Sequence, residues 1–367
     1  TSTNMNINEV LANIGLEYLE HLKGEYQYLH PNNDVNMSQS TNDVYPTAIK
    51  VGLISAIDQL NTPFDNLIQS FKNKSDEFAH ILKMGRTQLQ DAVPMTLGQE
   101  FGAFATTLQN DLNKLNQIMP DALSVVNLGG TAIGTGINTE VQYREYAIAS
   151  LSEMTQRNMS SAPDLIEATS DMGDFVLLSS LLKRTAIKLS KISNDLRLLS
   201  SGPRAGLNEI HLEPRQPGSS IMPGKVNPVI PEAMNLVCFQ VIANDLAITL
   251  AAEAGQLQLN AMEPLIAFKL FESIDLLGKA MQMFQHKCIE NIRANAEHCQ
   301  ALVENSIGII TALNPYLGYE TTTRIAKQAN ESGQSVLALI KAENLLSEQI
   351  LADVLAVNNM VQPKQCA

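Results

Sequence analysis

The sequence predicts an all-α protein, a bundle of long helices followed by a small helical C-terminal domain. Three observations favour this class. Apolar residues recur at helical spacing along most of the chain, alternating patterns typical of strands are rare, and glycine and proline gather in a few segments. The chain has 367 residues, 45% apolar and 17% charged. Such a chain is too apolar to be disordered and long enough to bury a large core.

Three apolar stripes with steps of three and four residues predict three of the long helices. Pro63 falls inside the first stripe and is expected to kink or split that helix. The stripes are Ile49, Leu53, Ala56, Leu60, Pro63, Leu67 and Phe71; Leu97, Phe101, Phe104, Leu108, Leu112 and Leu115; and Leu178, Leu182, Thr185, Leu189, Ile192, Leu196 and Leu199.

The segment between Pro231 and Pro264 contains no proline and is rich in aliphatic residues. At about 1.5 Å per residue it allows a helix of up to roughly 45 Å. Because it is apolar on most sides, we expect it to be buried all round. A further long helix is predicted from Leu265 to about Ile292. Helices this long and apolar usually need more than one chain to cover them, so the sequence predicts an oligomer.

The expected domains are a remnant of an N-terminal domain at 1–40, a central long-helix bundle at 41–300 and a small helical domain at 301–367. The first domain is called a remnant because the sequence begins at Thr1, within an element that already looks ordered, and we therefore expect the chain to be truncated. The C-terminal domain is predicted to contain short helices at Ser335–Ile340 and Ser347–Val354.

Composition excludes several classes of protein. The formal net charge of −13 argues against nucleic acid as a partner, since phosphate binding needs clustered basic residues. The sequence shows no membrane span and no secretory signal. The four cysteines, Cys238, Cys288, Cys299 and Cys366, form no CxxC motif and indicate reduced thiols in the cytoplasm. The six histidines lack the spacing of metal ligands.

The segment Pro217–Pro228 is the first candidate for chemistry. Its glycines allow it to act as a mobile flap. Lys225 and Asn227 are two residues apart, so in an extended chain both project the same way, and a cation beside an amide donor suits a carboxylate. Ser219 is a candidate nucleophile or base. The alternative for such a stretch between helices is a plain connecting loop.

Three further polar segments precede predicted helices: Thr1–Asn4, Gln39–Asp43 and Gly85–Asp91, the last containing Thr87 and Gln88. Each also fits a turn or a helix cap, and the functional alternative is an anion held by hydroxyl and N–H groups. Gly129–Gly136 lacks the spacing of a nucleotide-binding loop and is expected to be flexible or tightly packed. Brought together by several chains, these segments would form a small pocket suited to a dicarboxylate.

The run GSSIMPGKVNP at Gly218–Pro228 resembles the signature of the aspartase/fumarase superfamily. QSTND at Gln39–Asp43, GRTQ at Gly85–Gln88 and GGTAIGTGIN at Gly129–Asn138 resemble superfamily blocks in the expected order. MGRTQLQDAVPMTLGQEF and AEAGQLQLNAMEPLI are similar to the aspartase branch. Fumarases usually carry His at the position of Gln88, although some aspartases do as well.

The resemblance implies an ammonia-lyase that converts L-aspartate reversibly to fumarate and ammonia, a carbon–nitrogen lyase. Ser219 would remove the Cβ proton, giving an aci-carboxylate intermediate, and Lys225 would assist catalysis. Glu232 would position Lys225. The substrate-binding residues implied are Thr1, Ser40, Thr41 and Ser220 for the β-carboxylate, Thr87, Lys225 and Asn227 for the α-carboxylate, and Asn42, Gln88 and again Thr1 for the amino group.

The resemblance also implies a cytoplasmic homotetramer with a multi-helix core and active sites shared between subunits. No cofactor is required by this chemistry, although some relatives respond to Mg²⁺. The family has a substantial N-terminal domain before the Thr1 segment, which this sequence lacks. The nearest alternative is a fumarate hydratase on the same scaffold, and a more distant one is a non-catalytic helical assembly protein.

Overall fold

The computed structural model describes residues 1–361 and confirms the all-α class. The α-helices of this described part are α1 (Ser2–Tyr18), α2 (Thr41–Glu77), α3 (Leu97–Ser124), α4 (Tyr143–Thr155), α5 (Leu165–Ser170), α6 (Gly173–Leu199), α7 (Val229–Glu253), α8 (Glu263–Lys287), α9 (Ala296–Asn305), α10 (Ile310–Leu317), α11 (Tyr319–Ser332), α12 (Val336–Ala342), α13 (Glu348–Val354) and α14 (Val357–Val361).

Strands are few and short in the described residues, and they form three two-stranded sheets. The longest sheet is an antiparallel hairpin, and the others pair two residues with two, one in parallel and one antiparallel. A π-helical turn (Pro31–Val35) precedes α2. The strands are β1 (Leu82–Thr87), β2 (Gln90–Thr96), β3 (Val125–Val126), β4 (Ser160–Ser161), β5 (Ile210–His211) and β6 (Arg293–Ala294).

The chain divides into two compact units, each assembled from three separate stretches. Unit 1 consists of Thr1–Thr62, Asp111–Ile187 and Val237–Lys279. Unit 2 consists of Pro63–Asn110, Lys188–Leu236 and the residues from Ala280 onward. The predicted boundaries at 40/41 and 300/301 stay predictions.

Unit 1 has an aliphatic helical core with polar residues held inside it. Leu53, Leu178 and Leu270 are fully buried. Asp245 in α7 is also buried, and it accepts a hydrogen bond from Ser179 at 2.7 Å and pairs with Lys183 at 2.6 Å. These partners offset the cost of removing the carboxylate from water.

Unit 2 is organised around a cluster of phenylalanines. The Phe71 ring lies 6.1 Å from that of Phe101 and 6.3 Å from that of Phe284, and Phe78 meets Phe101 edge-on at 5.3 Å. Such tilted and edge-on contacts add to the gain from burying the rings. A second apolar cluster joins β1 to the C-terminal helices and includes Met84, Ile325 and Ile340.

Reciprocal side-chain caps fix the start of two long helices. At α2 the Ser40 hydroxyl accepts from the Asn42 N–H at 3.3 Å, while the Asp43 carboxylate accepts from the Ser40 N–H at 2.9 Å. At α3 the Thr96 hydroxyl and the Gln99 amide oxygen exchange equivalent bonds at 3.0 Å. These capping boxes satisfy N–H groups that a helix leaves unpaired at its start.

The three predicted helical stripes lie in α2, α3 and α6, and nearly all their members are buried. Of the two expected effects of Pro63, a split is excluded, because α2 runs unbroken from Thr41 to Glu77, and a kink stays a prediction. Leu60, Phe64 and Leu67 on either side of the proline are buried, and this packing outweighs the local cost of the missing N–H. The further long helix predicted from Leu265 is confirmed as α8.

The expectation that the proline-free helix is buried all round is wrong for the single chain. The segment forms α7, in which Leu246 is 61% and Leu250 60% exposed, and Leu257 beyond it is 87% exposed. The sequence pattern records only that these residues are apolar. One face of α7 is left uncovered by the rest of this chain.

Helix α7 is also long and apolar enough to cross a membrane by length and composition alone. It carries Asn235, Asn244 and Asp245 at buried positions with polar partners. Polar and ionised groups in the middle of a span are costly in hydrocarbon. The helix is therefore best described as a core helix of this fold.

The short C-terminal helices are present where the serine-led patterns predicted them. Ser335 and Ser347 cap α12 and α13 by accepting hydrogen bonds from Ala338 and Ile350 N–H groups.

Cys238, Cys288 and Cys299 are buried thiols, and burial raises the pKa of Cys288 to about 12. Cys366 lies outside the described residues.

Phe101→Ala should destabilise the protein by about 3–5 kcal/mol, because Phe101 is fully buried among three other aromatic rings and its loss leaves a cavity. Urea unfolding at fixed protein concentration measures the change. Lys279→Ala, which removes an exposed ion pair with Asp275, is the control and should change stability by less than about 0.5 kcal/mol. Equal effects of the two substitutions would contradict the proposed core.

Candidate active site

The Ser219 loop is held in a defined shape by hydrogen bonds to the serine oxygen. Ser219 Oγ accepts from the N–H of Ile221 at 3.2 Å and from that of Met222 at 3.1 Å. Both bonds point positive dipole ends at the hydroxyl oxygen. Such donors favour a negatively charged oxygen, which is what a serine needs to act as a base.

Backbone contacts close the same loop at its base. The Gly218 N–H donates to the Lys225 carbonyl at 3.0 Å, and the Asn227 side-chain amide donates to the Gly218 carbonyl at 2.9 Å. A Cβ at position 218 would lie 2.7 Å from the Lys225 carbonyl carbon and still closer to its oxygen. Only glycine fits this approach, so the loop is pinned at both ends and exposed at its tip.

Lys225 and Asn227 line one cleft of about 430 Å³ within unit 2, together with His211 and Arg293. Two predicted carboxylate-binding side chains thus lie on the same cavity. Glu232 is exposed in the first turn of α7, and within the described residues it forms no ion pair with Lys225. Its predicted positioning role stays a prediction.

Thr87 and Gln88 lie at the exposed tip of the β1–β2 hairpin. The predicted turn is confirmed, but the predicted cap is wrong, because the next helix starts only at Leu97. Gln88 and Leu89 form the two-residue turn with φ of 52° and 63°. This turn type normally contains glycine or asparagine, so the tip is strained, a feature common at functional sites.

Buried charges anchor the hairpin. Arg86, next to Thr87, pairs with Glu209 at 2.7 Å, and Lys83 pairs with the same carboxylate at 2.9 Å and with Glu100 at 2.6 Å. Glu209 is fully buried. Within unit 2, no described hydrogen bond joins Thr87 or Gln88 to the Ser219 loop, so the hairpin tip is held in place independently of that loop.

Thr1, Thr41 and Asn42 line one cleft of about 170 Å³ in unit 1, with Tyr45 and Glu263. The Thr41 hydroxyl donates to Asn4 at 2.8 Å and the Asn42 amide donates to the Ala132 carbonyl at 2.7 Å. Three of the predicted substrate-binding residues therefore share a cavity. Ser40 sits beside them as the cap of α2, and Ser220 is exposed in the Ser219 loop.

Asp43 holds the Gly129–Gly136 loop against the start of α2. Its fully buried carboxylate accepts from the N–H groups of Gly129 at 3.0 Å and Thr131 at 2.9 Å. Burial raises the pKa of Asp43, and these hydrogen bonds oppose the shift. Gly134 approaches the backbone of Leu165 so closely that a side chain would clash. The tight packing predicted for this loop is confirmed.

Sequence reasoning assigned no role to Glu263, Asp43 or Glu209. All three lie in blocks that carry the family resemblance or close to them, so a signal was present. What the sequence could not reveal is burial. Glu263 is 5% exposed, and its Oε1 has no hydrogen-bond partner among the described residues. Burial raises the pKa of Glu263 to about 7.

The described residues contain no group of three or more His, Cys, Asp or Glu side chains that could hold a metal ion. The polar groups of the two clefts are mainly hydroxyls, amides and amines, which bind anions rather than metal ions.

Two protein families match the chain. The family described as Lyase matches residues 1–243, two thirds of the sequence, and the family described as Fumarase C C-terminus matches residues 309–362. This chain belongs to the aspartase/fumarase family of lyases.

Curated relatives of this lyase are aspartate ammonia-lyases. That of Pseudomonas aeruginosa is 66% identical over 364 residues, covering 99% of this chain and 77% of the relative. Those of Helicobacter pylori and Escherichia coli are each 54% identical over 363 residues, covering 99% of this chain and 77% and 76% of the relatives.

Solved structures agree with this assignment. A protein titled fumarate lyase:delta crystallin from Brucella melitensis, bound to cobalt, superposes with a TM-score of 0.95 at 54% identity and covers 99% of this chain and 78% of its own. A class II fumarase from Schistosoma mansoni superposes with a TM-score of 0.88 at 33% identity, covering 98% of this chain and 78% of its own. The lyase fold thus extends over nearly the whole chain.

Gly218→Ala should lower lyase turnover by about 100-fold, because a Cβ at this position displaces the Lys225 carbonyl and misplaces Ser219. Initial rates at saturating substrate measure the effect. Gly24→Ala is the control for an added Cβ without a clash: nothing lies within 4 Å of it, and the positive φ of Gly24, 87°, adds only local backbone strain. Similar turnover in both variants would show that closure at Gly218 is not needed.

Proposed function

We propose that this lyase is an aspartate ammonia-lyase, which converts L-aspartate reversibly to fumarate and ammonia. The observation that carries the proposal is the Ser219 loop, in which the serine oxygen accepts two backbone N–H groups and the same segment brings Lys225 and Asn227 to one cleft. The relatives support the proposal, because aspartate ammonia-lyases are highly identical to this chain over nearly its whole length.

Ser219 is the proposed base. Its alkoxide takes the proton from Cβ of L-aspartate, and the electron pair of that C–H bond moves onto the β-carboxylate to give the aci-carboxylate. The N–H groups of Ile221 and Met222 lower the cost of the alkoxide, and the proposed role of Lys225, a cation of the same loop, is to lower it further. The C–N bond then breaks, its electrons leave with nitrogen, and fumarate and ammonia remain.

The intermediate carries extra negative charge on the β-carboxylate, so the residues around it should be hydrogen-bond donors. We propose the hydroxyls of Thr1, Ser40, Thr41 and Ser220 for this role. One donor aimed at developing charge contributes about 2.7–4 kcal/mol in comparable oxyanion sites. Thr87, Lys225 and Asn227 would hold the α-carboxylate, and Asn42, Gln88 and Thr1 the amino group.

The proposed active form is a homotetramer with active sites shared between subunits. The uncovered face of α7, with Leu246 61% and Leu250 60% exposed, supports an assembly that buries it. The absence of described hydrogen bonds between the Thr87–Gln88 tip and the Ser219 loop of one chain agrees with a site completed by other copies.

The chemistry needs no cofactor, and we propose Mg²⁺ only as an activator. The proposed location is the cytoplasm.

A fumarate hydratase is the second candidate, favoured by the match of residues 309–362 to the Fumarase C C-terminus family. Incubation with L-aspartate and, separately, with L-malate distinguishes the two, because both reactions release fumarate, which absorbs in the ultraviolet. We expect fumarate from L-aspartate. Fumarate from L-malate alone would replace the proposal with the hydratase, and fumarate from neither would reject both.

Ser219→Ala should reduce kcat for L-aspartate by about 100-fold or more, the contribution expected of a general base, while leaving assembly unchanged. Steady-state kinetics and size-exclusion chromatography measure the two properties. Ser332→Ala is the control, since Ser332 is an exposed serine at the end of α11 whose hydroxyl makes only local bonds, donating to the Gln328 carbonyl and accepting from the Gln334 N–H. A Ser219→Ala enzyme with near-normal kcat would exclude Ser219 as the base.

A further inference from the structure

Glu263 stands apart from the other buried acids of the described residues. Five acidic residues are buried: Asp43, Asp111, Glu209, Asp245 and Glu263. The first four have partners. Asp43 accepts loop N–H groups, and Asp111 pairs with Arg184. Glu209 pairs with Lys83 and Arg86, and Asp245 pairs with Lys183 and accepts from Ser179. Glu263 has no such partner for Oε1. A buried carboxylate oxygen without a donor is costly, and its retention calls for a reason.

The unpartnered carboxylate lies on the cleft of Thr1, Thr41 and Asn42. It begins α8 and lines that cleft with Asn42 and Tyr45. Among the described residues that line this cleft, Glu263 is the acidic one. The negative charge of Glu263 acts on the residues of this cleft. The pKa of Tyr45 is raised first by the burial of the tyrosine and second by this charge. The cleft therefore has a place for a small cation.

We propose that Glu263 binds the α-ammonium group of L-aspartate and makes the site selective for amino over hydroxyl substrates. This inference rests on the proposed function. Asn42, Gln88 and Thr1 can hydrogen-bond the amino group but carry no side-chain charge to neutralise it. A buried carboxylate supplies that charge, and a charge-assisted hydrogen bond is stronger than one between neutral groups.

The reaction itself gives the carboxylate a second use. The C–N bond breaks with its electron pair leaving on nitrogen, so an ammonium group departs as neutral ammonia. An uncharged amine would have to depart as the far more basic amide ion. A carboxylate that holds the amino group protonated therefore keeps the leaving group in its reactive form, and the proton of Cβ remains with Ser219.

The reverse reaction separates the ammonium site from the dicarboxylate site. Glu263→Gln keeps the size of the side chain and removes its charge. In the addition of ammonium to fumarate, we expect the KM for ammonium to rise at least about tenfold while the KM for fumarate changes less than about twofold. Glu263→Asp, which keeps the charge, should recover part of the ammonium affinity.

Asp275→Asn is the matched control, because it removes an exposed carboxylate from the same helix. It should leave both KM values unchanged. An unchanged KM for ammonium in Glu263→Gln, or an equal rise of both KM values, overturns the inference. A wild-type enzyme that forms no fumarate from L-aspartate instead rejects the proposed function, so the two failures are distinguishable.

A stability measurement tests the same residue without turnover. Because the pKa of Glu263 in the folded protein, about 7, lies above its unfolded value of 4.5, folding favours the protonated form. Stability should therefore fall as pH rises from about 4.5 to 7. Glu263→Gln should raise the Tm of the substrate-free protein at pH 8 and leave it nearly unchanged at pH 5. A lower Tm at pH 8 would mean that the carboxylate already has a partner, which also overturns the inference.

Discussion

A carboxylate removed from water must find donors or cations, and this constraint fixes the start of α2 in unit 1 and the β1–β2 hairpin in unit 2. Asp43 draws the N–H groups of Gly129 and Thr131 to the start of α2, so the Ser40–Asn42 segment is held by a loop almost ninety residues away in sequence. Glu209 does the same for the hairpin through Lys83 and Arg86. Neither carboxylate is proposed to touch substrate. They fix the segments that carry the proposed substrate-binding groups.

The Ser219 loop is fixed by different means, because it contains no buried charge. Its shape comes from backbone hydrogen bonds at Gly218 and from the amide of Asn227. The tip is left exposed, with Ile221 82% accessible. A loop that is pinned at its base and free at its tip can close over a substrate without losing the geometry of the Ser219 oxygen. Unit 2 thus contains both a hairpin anchored by buried charges and a loop whose tip is exposed.

Much of this could be predicted from the sequence, where the signal was periodic or chemical. The apolar stripes located α2, α3 and α6, and the Ser/Lys/Asn combination singled out the loop at 217–228. The predictions that failed concern features set by the packing of neighbouring residues, which the sequence pattern does not show. Pro63 did not split α2, because its surroundings are packed, and the apolar pattern of α7 did not reveal that one face is uncovered. The hairpin was missed because its β2 strand, with Asp91 and Pro94, has little strand character.

The distinction between ammonia and water as leaving groups follows from charge. A hydroxyl must gain a proton in order to leave as water, so its site benefits from an acid. An ammonium already carries its proton and benefits from an anion that keeps it there. A buried carboxylate beside Asn42 therefore suits the elimination of ammonia and opposes the binding of a neutral hydroxyl, which leaves the carboxylate charge uncompensated. On one scaffold with one base, the sign of a single neighbouring charge can select between the two reactions.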